Sequence, residues 1–140
     1  MITKNEPGEA IFKIGAIILR GKQLLVVKKT TKDNRVEYII PGGRPEGAET
    51  QRETLERELR EELQVKLVAM DHFGSFDEIA VFENIPIHME VFAVEIDGTP
   101  RPDSEIKEYL WIDRDYEREG IKLGTVLGRY VVPGLVGRGL

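Results

Sequence analysis

The chain has 140 residues, of which 41% are hydrophobic, and this is enough for one compact domain with an ordinary core. Its 25 acidic and 20 basic residues give a formal charge of −5, which disfavours the broad basic surface that bulk nucleic-acid binding requires. The absence of cysteine excludes disulfide frameworks, thiolate metal sites and cysteine nucleophiles. The first ten residues lack the apolar core of a signal peptide, and no apolar run reaches the length of a membrane span, so we expect a single cytoplasmic domain over residues 1–140.

Three short apolar segments in the first third of the chain predict strands. IFKIGAII (11–18) and QLLVVKK (23–29) are rich in β-branched and aliphatic residues, and the Arg20-Gly21-Lys22 segment between them is typical of a hairpin turn. EYII (37–40) predicts a third strand. Pro41-Gly42-Gly43 should end it, because proline interrupts ladder pairing and glycine opens unusual backbone conformations.

The central segment predicts a helix that begins just after Thr50. Thr50 and Glu53 have the S/T-x-x-E spacing of a capping box, in which the two residues satisfy each other's backbone N–H groups. Leu55, Leu59 and Leu63 recur at intervals of about one helical turn. These leucines predict the stripe that the helix buries.

The region after the helix again favours strands. VKLVAMDHFGSF (65–76) and IHMEVFAVEI (87–96) fit strand patterns, and Asn84 and Pro86 indicate a turn in the segment between them. YLWID (109–113) predicts one further strand.

The carboxyl-terminal segment predicts a short final helix between Gly124 and Pro133, since proline is expected to end it. Strands before and after a central helix, with hairpins among them, predict a mixed sheet covered by helices. We therefore expect the α+β class.

Three carboxylates of the central helix require an explanation. Glu58, Glu61 and Glu62 stand at i, i+3 and i+4, on one side of the helix, where like charges cost roughly 0.2–0.5 kcal/mol per pair. On spacing alone, a solvated acidic face is the simpler interpretation. However, a Gly42-Gly43 turn and a capped helix start precede them, and converging hard oxygen ligands beside a glycine turn suit magnesium and a phosphate.

The spacing around these glutamates resembles the signature box of the Nudix hydrolases. Gly43 is followed after five residues by Glu49, and after seven more by the run from Arg57 to Val65, RELREELQV. Every box position fits except Gln64, where the family has glycine. The resemblance implies a Nudix-like α/β/α sandwich, in which the catalytic loop and helix pack against a mixed β-sheet.

The resemblance also implies an activity. Nudix hydrolases cleave a pyrophosphate bond in a small-molecule nucleoside diphosphate derivative, such as a nucleotide sugar or a nucleoside triphosphate, with Mg²⁺ or Mn²⁺ as cofactor. It implies that Glu58, Glu61 and Glu62 hold the metal together with the carbonyl of Gly43. Arg57 would orient a glutamate.

The sequence also predicts contacts and backbone geometry for other box residues. At i±4 spacing on the helix, Arg57 can pair with Glu53 or Glu61. Glu49 matches a family position that looks structural, so no catalytic role is assigned to it. The glycine that Gln64 replaces would suit a left-handed residue at the helix end, and a non-glycine residue there costs roughly 1–2 kcal/mol.

The general base stays open at this point. It is either Glu58 within the box or an acidic residue outside it. The candidates outside the box are Asp77, Glu78, Glu83, Glu105 and Glu108. His72 and His88 lack the spacing of a zinc site and are expected to be structural or surface residues.

Substrate and assembly also stay open. Residues 80–83 carry neither the proline nor the tyrosine that marks the ADP-ribose and diadenosine-polyphosphate groups of the family, so those substrates are less favoured. A competing hypothesis is a non-catalytic Nudix-fold module that senses a nucleotide, although such modules often lose the box glutamates. A homodimer remains an open alternative to a monomer.

Overall fold

The computed structural model describes residues 10–30, 36–80, 85–101 and 108–139. The base candidates Glu83 and Glu105, and the turn residue Asn84, lie outside the described residues. Within the described ranges, no helix is long and apolar enough to cross a membrane.

Four strands form the first sheet, in the order β5-β1-β7-β6. The central strand β1 (Ile11–Ile17) pairs in parallel with β7 (Ile85–Asp97) and antiparallel with β5 (Gly42–Gly43). The edge strand β6 (Lys66–Ala80) pairs antiparallel with β7. The predicted mixed sheet is therefore confirmed.

The second sheet is built around β3 (Gln23–Thr30), which pairs antiparallel with each of its neighbours. These neighbours are β2 (Leu19–Arg20), β4 (Val36–Ile39) and β8 (Tyr109–Ile112). The predicted hairpin exists, but it joins β2 to β3, because the chain passes from one sheet to the other at Ile18. The predicted third and last strands correspond to β4 and β8.

The hairpin of β6 and β7 is longer than the sequence suggests. The segment predicted to turn is paired at its described ends, and Pro86 lies opposite Ile79 in the ladder. Pro86 is tolerated because it is the second residue of β7 and precedes Ile87, where pairing with β1 begins. Pro86 itself therefore belongs to β7, and the middle of the segment predicted to turn, residues 81–84, lies outside the described residues.

The helical tail also passes its predicted end. It begins at residue 125, widens into a π turn (Leu127–Val131) and continues as α2 (Val132–Gly137). In the π turn the Val132 N–H donates to the carbonyl of Leu127, five residues back. Pro133 then falls in the first turn of α2, where its missing N–H is tolerated, so the helix does not end there as predicted.

Helices cover both faces of the first sheet. On one face, the buried Ile14, Ala16 and Ile18 pack with the leucine stripe of α1 (Gln51–Leu63), whose Leu55, Leu59 and Leu63 are fully buried. On the other face, the tail packs on the sheet through Val131 and Leu135. This arrangement is the expected α/β/α sandwich of the α+β class.

Both ends of α1 have the predicted geometry. Thr50 Oγ1 accepts from the Glu53 N–H at 3.1 Å, and Glu53 Oε1 accepts from the Thr50 N–H at 2.9 Å, which completes the capping box. Gln64 is left-handed, with φ 57° and ψ 37°. The N–H of Gln64 donates to Arg60 and that of Val65 to Leu59, so the helix-end carbonyls are satisfied.

Candidate active site

Two glycines form the edge strand β5 and place the chain before α1 beside β1. Gly42 has φ 144°, and a Cβ there would lie 2.1 Å from the carbonyl oxygen of Ile14. A Cβ on Gly43 would lie 2.5 Å from the carboxyl carbon of Glu58. Glycine is required at position 42, where the backbone of Ile14 blocks a side chain, whereas a side chain at position 43 would displace the Glu58 carboxyl group.

The carboxyl groups of Glu58 and Glu62 meet beside this glycine strand. Glu62 is only 9% exposed, and its Oε1 accepts from the Gly42 N–H at 3.0 Å. The Glu58 and Glu62 carboxyl groups are neighbours, and the pKa of Glu62 is raised to about 8, which favours a proton on Glu62 near neutral pH. Burial raises the pKa of both groups, and their mutual proximity raises the pKa of Glu62 further.

Arg57 connects this pair to the loop. Its Nε and Nη2 contact the two carboxylate oxygens of Glu49 at 2.7 and 3.0 Å, and its Nη2 also donates to the carbonyl of Arg44 at 3.0 Å. Its Nη1 donates to Glu58 Oε1 at 2.7 Å. The hydrogen bonds from Arg57 are the largest cause that lowers the pKa of Glu49 to about 2.

The predicted helix partners of Arg57 are only partly right. Glu61 Oε2 lies 3.4 Å from Arg57 Nη1, as one of the two alternatives requires. Glu53 is not among the described partners of Arg57, because its carboxylate belongs to the capping box. The dominant partner, Glu49, comes from the loop and not from the i±4 positions.

The donor set suits a hard divalent cation. As the side chains lie, the described part of the chain contains no group of three or more histidine or acidic residues positioned to hold a metal ion, since Glu61 faces Arg57. The raised pKa of Glu62 favours a proton on its carboxyl group near neutral pH, and a cation can replace that proton. Carboxylate oxygens such as those of Glu58 and Glu62 are ligands that Mg²⁺ and Mn²⁺ prefer.

Comparison with known families identifies this arrangement of loop and helix. The model of the NUDIX domain family matches residues 12–121. The chain belongs to the Nudix family. The family predicted from the box between Gly43 and Val65 is thus confirmed, and the chain is a Nudix-type hydrolase.

Solved structures agree with this assignment. A putative Nudix hydrolase family member from Chromobacterium violaceum is 25% identical, with a TM-score of 0.71 over 96% of this chain and 83% of that one. The E. coli ORF135 protein is 25% identical, with a TM-score of 0.66 over 79% of this chain and 78% of that one. The MutT protein from Methanosarcina mazei Go1 shares the fold at 19% identity, with a TM-score of 0.74 over 99% and 100% of the two chains. A comparison with curated proteins finds no match.

Three of the five base candidates outside the Nudix box have partners elsewhere. Glu78 accepts from Arg129 Nη1 at 2.7 Å and from the Tyr130 hydroxyl at 3.2 Å. Glu108 accepts from the Tyr38 hydroxyl at 2.9 Å. Asp77 pairs with His88, and none of the three has a described contact with the Glu58 and Glu62 pair. Among the described base candidates, only Glu58 therefore belongs to this pair.

Sequence reasoning missed a second polar cluster, which lies on the face of the first sheet that α1 covers. Glu90 Oε1 contacts His72 Nε2 and the Ser75 hydroxyl, each at 2.7 Å, and its Oε2 contacts His88 Nε2 at 2.5 Å. His88 Nδ1 contacts Asp77 at 2.8 Å. Both histidines have partners within the first sheet, and these partners depend on strand register and could not be read from spacing.

Proposed function

We propose that this Nudix hydrolase cleaves a pyrophosphate bond in a nucleoside diphosphate linked to another moiety, with Mg²⁺ or Mn²⁺ as cofactor. The observation that carries the proposal is the buried carboxyl group of Glu62, which is 9% exposed and lies beside Glu58 and the Gly42-Gly43 strand. Such a group is unfavourable for folding, because burial raises its pKa to about 8 and the described contacts of Glu62 include no basic side chain. A cation site explains why the enzyme keeps it.

Each box residue has a proposed role. Glu58, Glu61, Glu62 and the carbonyl of Gly43 would hold the metal. The bound metal would neutralise charge on the diphosphate and lower the pKa of a bound water. Arg57 would keep the Glu58 carboxylate in place through its 2.7 Å contact, since its other nitrogens are fixed by Glu49 and the loop.

Proton movement at the pair follows from its chemistry. A bound metal would displace the proton that the raised pKa favours on Glu62, so loading should weaken as the pH falls. Once it is deprotonated, Glu58 can accept a proton as general base. The alternative, a nucleotide-sensing module without catalysis, has no observation in its favour, because all three box glutamates are present.

We propose that the domain extends past the family match, which ends at residue 121. The tail helix contributes Val131 and Leu135 to the same core as Val91 of β7. Removal of this helix would expose that side of the sheet.

A substrate panel tests the activity. NDP-sugars, ADP-ribose, dinucleoside polyphosphates, and canonical and oxidised dNTPs are incubated with Mg²⁺ or Mn²⁺, and released nucleoside monophosphate and phosphate are measured. We expect hydrolysis of at least one class, abolished by EDTA. Equal product release by wild-type enzyme in excess EDTA, or no release from any compound with either metal, would contradict the proposal.

A further inference from the structure

Thr54 is a fully buried hydroxyl next to the site, outside the positions that define the Nudix box. It is 0% exposed and lies on α1 one turn before Glu58. Its Oγ1 is 3.2 Å from Glu49 Oε1 and 3.1 Å from the carbonyl of Thr50. A hydroxyl has one proton, so it donates fully to only one of these acceptors at a time.

The carboxylate that Thr54 contacts is the one that fixes Arg57. Glu49 Oε1 accepts from the Glu46 N–H at 2.8 Å, from Arg57 Nη2 at 3.0 Å and from Thr54. The bidentate contact with Arg57 sets the plane of the guanidinium, and its Nη1 then reaches Glu58. A chain of hydrogen bonds therefore runs from Thr54 through Glu49 and Arg57 to Glu58.

We propose that Thr54 is a positioning residue for Glu58, acting through Glu49 and Arg57. Its hydroxyl restrains rotation of the Glu49 carboxylate from the buried side of the helix, where water cannot take its place. The inference rests on the proposed function, because it assumes that Glu58 is a metal ligand. The simpler alternative is that the hydroxyl only bonds the carbonyl four residues back and stabilises α1.

The test compares Thr54→Val, which keeps the shape and removes the hydroxyl, with Thr54→Ser, which keeps the hydroxyl. Mn²⁺ affinity is measured by calorimetry without substrate, and turnover is measured at saturating Mn²⁺ on the best panel compound. We expect Thr54→Val to weaken Mn²⁺ binding and to lower kcat, each by about fivefold to tenfold, with Thr54→Ser within about twofold of wild type. A hydroxyl that only stabilises the helix would change the melting temperature and neither of these.

A double-mutant cycle keeps the proposal falsifiable. In a Glu49→Ala background, Thr54→Val should have no further effect on Mn²⁺ affinity, because the route to Glu58 is already broken. Thr54→Ala replaces Thr54→Val if the valine variant does not fold. Additive effects of Glu49→Ala and Thr54→Val would overturn the inference. So would a Mn²⁺ affinity of Thr54→Val equal to that of Thr54→Ser. Wild-type enzyme that neither binds Mn²⁺ nor hydrolyses any compound would instead overturn the proposed function itself.

Discussion

Glu62 and Glu90 are two shielded carboxyl groups of the same protein that have opposite surroundings. The Glu90 side chain is 14% exposed and contacts two histidines and a serine hydroxyl, and Glu62 is 9% exposed and contacts one N–H and the carboxyl group of Glu58. Burial acts to raise the pKa of both. At Glu90 the hydrogen bonds outweigh burial and lower the pKa to about 2, whereas at Glu62 burial dominates and raises it to about 8.

Position in the sheet does not explain this difference. Gly43, which packs against Glu58, pairs with Ile14, and Ile14 pairs with Glu90. Gly43 and Glu90 are thus about two strand spacings apart on the same face of the first sheet, and the fully buried Ile14 lies between them. The difference lies in the partners of the two carboxyl groups. Glu90 contacts one histidine of β6 and one of β7, whereas the described contacts of Glu62 include no basic side chain.

The largest expected effect is on turnover. Glu62→Gln and Glu61→Gln keep side-chain size and weaken a hard-cation ligand, so each should lower kcat by about a hundredfold or more. Glu56→Gln on the same helix is the control. Glu56 is 45% exposed, and it pairs at 3.8 Å with Arg52, which is itself on the surface. Activity of the Glu61 and Glu62 variants equal to that of Glu56→Gln would mean that the acidic face is merely solvated.

The same substitution at Glu90 should act on stability and not on turnover. Glu90→Gln weakens charge-assisted contacts to His72 and His88, which should reduce the free energy of unfolding by about 1 kcal/mol. Metal-free Glu62→Gln should unfold at the same or a slightly higher denaturant concentration than wild type near pH 7, because it removes a carboxyl group whose pKa burial raises, which costs stability at that pH. Urea denaturation of both variants checks the opposite signs. A loss of stability in Glu62→Gln as large as that in Glu90→Gln would remove the distinction between the two sites.

The pH dependence of the stability of the metal-free enzyme should also distinguish Glu62 from Glu90. The folded-state pKa of Glu62 is raised above the ordinary 4.5 to about 8, so its contribution favours folding at low pH and is lost as the pH rises through that range. The pKa of Glu90 is lowered, so its contribution is present above 4.5 and lost as the pH falls toward 2. Urea midpoints between pH 5 and pH 8 should therefore fall more steeply for wild type than for Glu62→Gln. Parallel curves would count against a raised pKa at Glu62.

The smallest effect is expected at the end of α1. Gln64 adopts the left-handed conformation in which glycine avoids a cost of about 1–2 kcal/mol, although glycine also loses more chain entropy on folding. Gln64→Gly should therefore raise the melting temperature slightly or leave it level, with turnover unchanged. A clear fall in melting temperature would show that the Gln64 side chain stabilises the helix end.

The parts of the fold that were predicted correctly depend on residues close in sequence. The capping box of Thr50, the stripe from Leu55 to Leu63 and the left-handed Gln64 are all set within a few residues. The errors involve distant or irregular structure. Pairing of Arg57 with Glu49 requires the loop to fold back onto the helix, and the tail passes Pro133 because of a π turn.

The cluster around Glu90 could not have been predicted for a related reason. Its members meet only because β6 and β7 pair in one particular register, and β6 has irregularities between Leu67 and Ala69 and between His72 and Gly74. Each irregularity shifts which residues share a face. Alternation along one strand therefore could not show that His72 and Ser75 reach Glu90.

The most direct test of the central claim measures the protons released when Mn²⁺ binds. Calorimetric titration of the metal-free enzyme at pH 7, in buffers of different ionisation enthalpy, gives this number without any substrate. The raised pKa of Glu62 predicts release of about one proton per bound ion by wild type and much weaker binding with little release by Glu62→Gln. Tight Mn²⁺ binding without proton release, or equal binding by Glu62→Gln, would contradict the account.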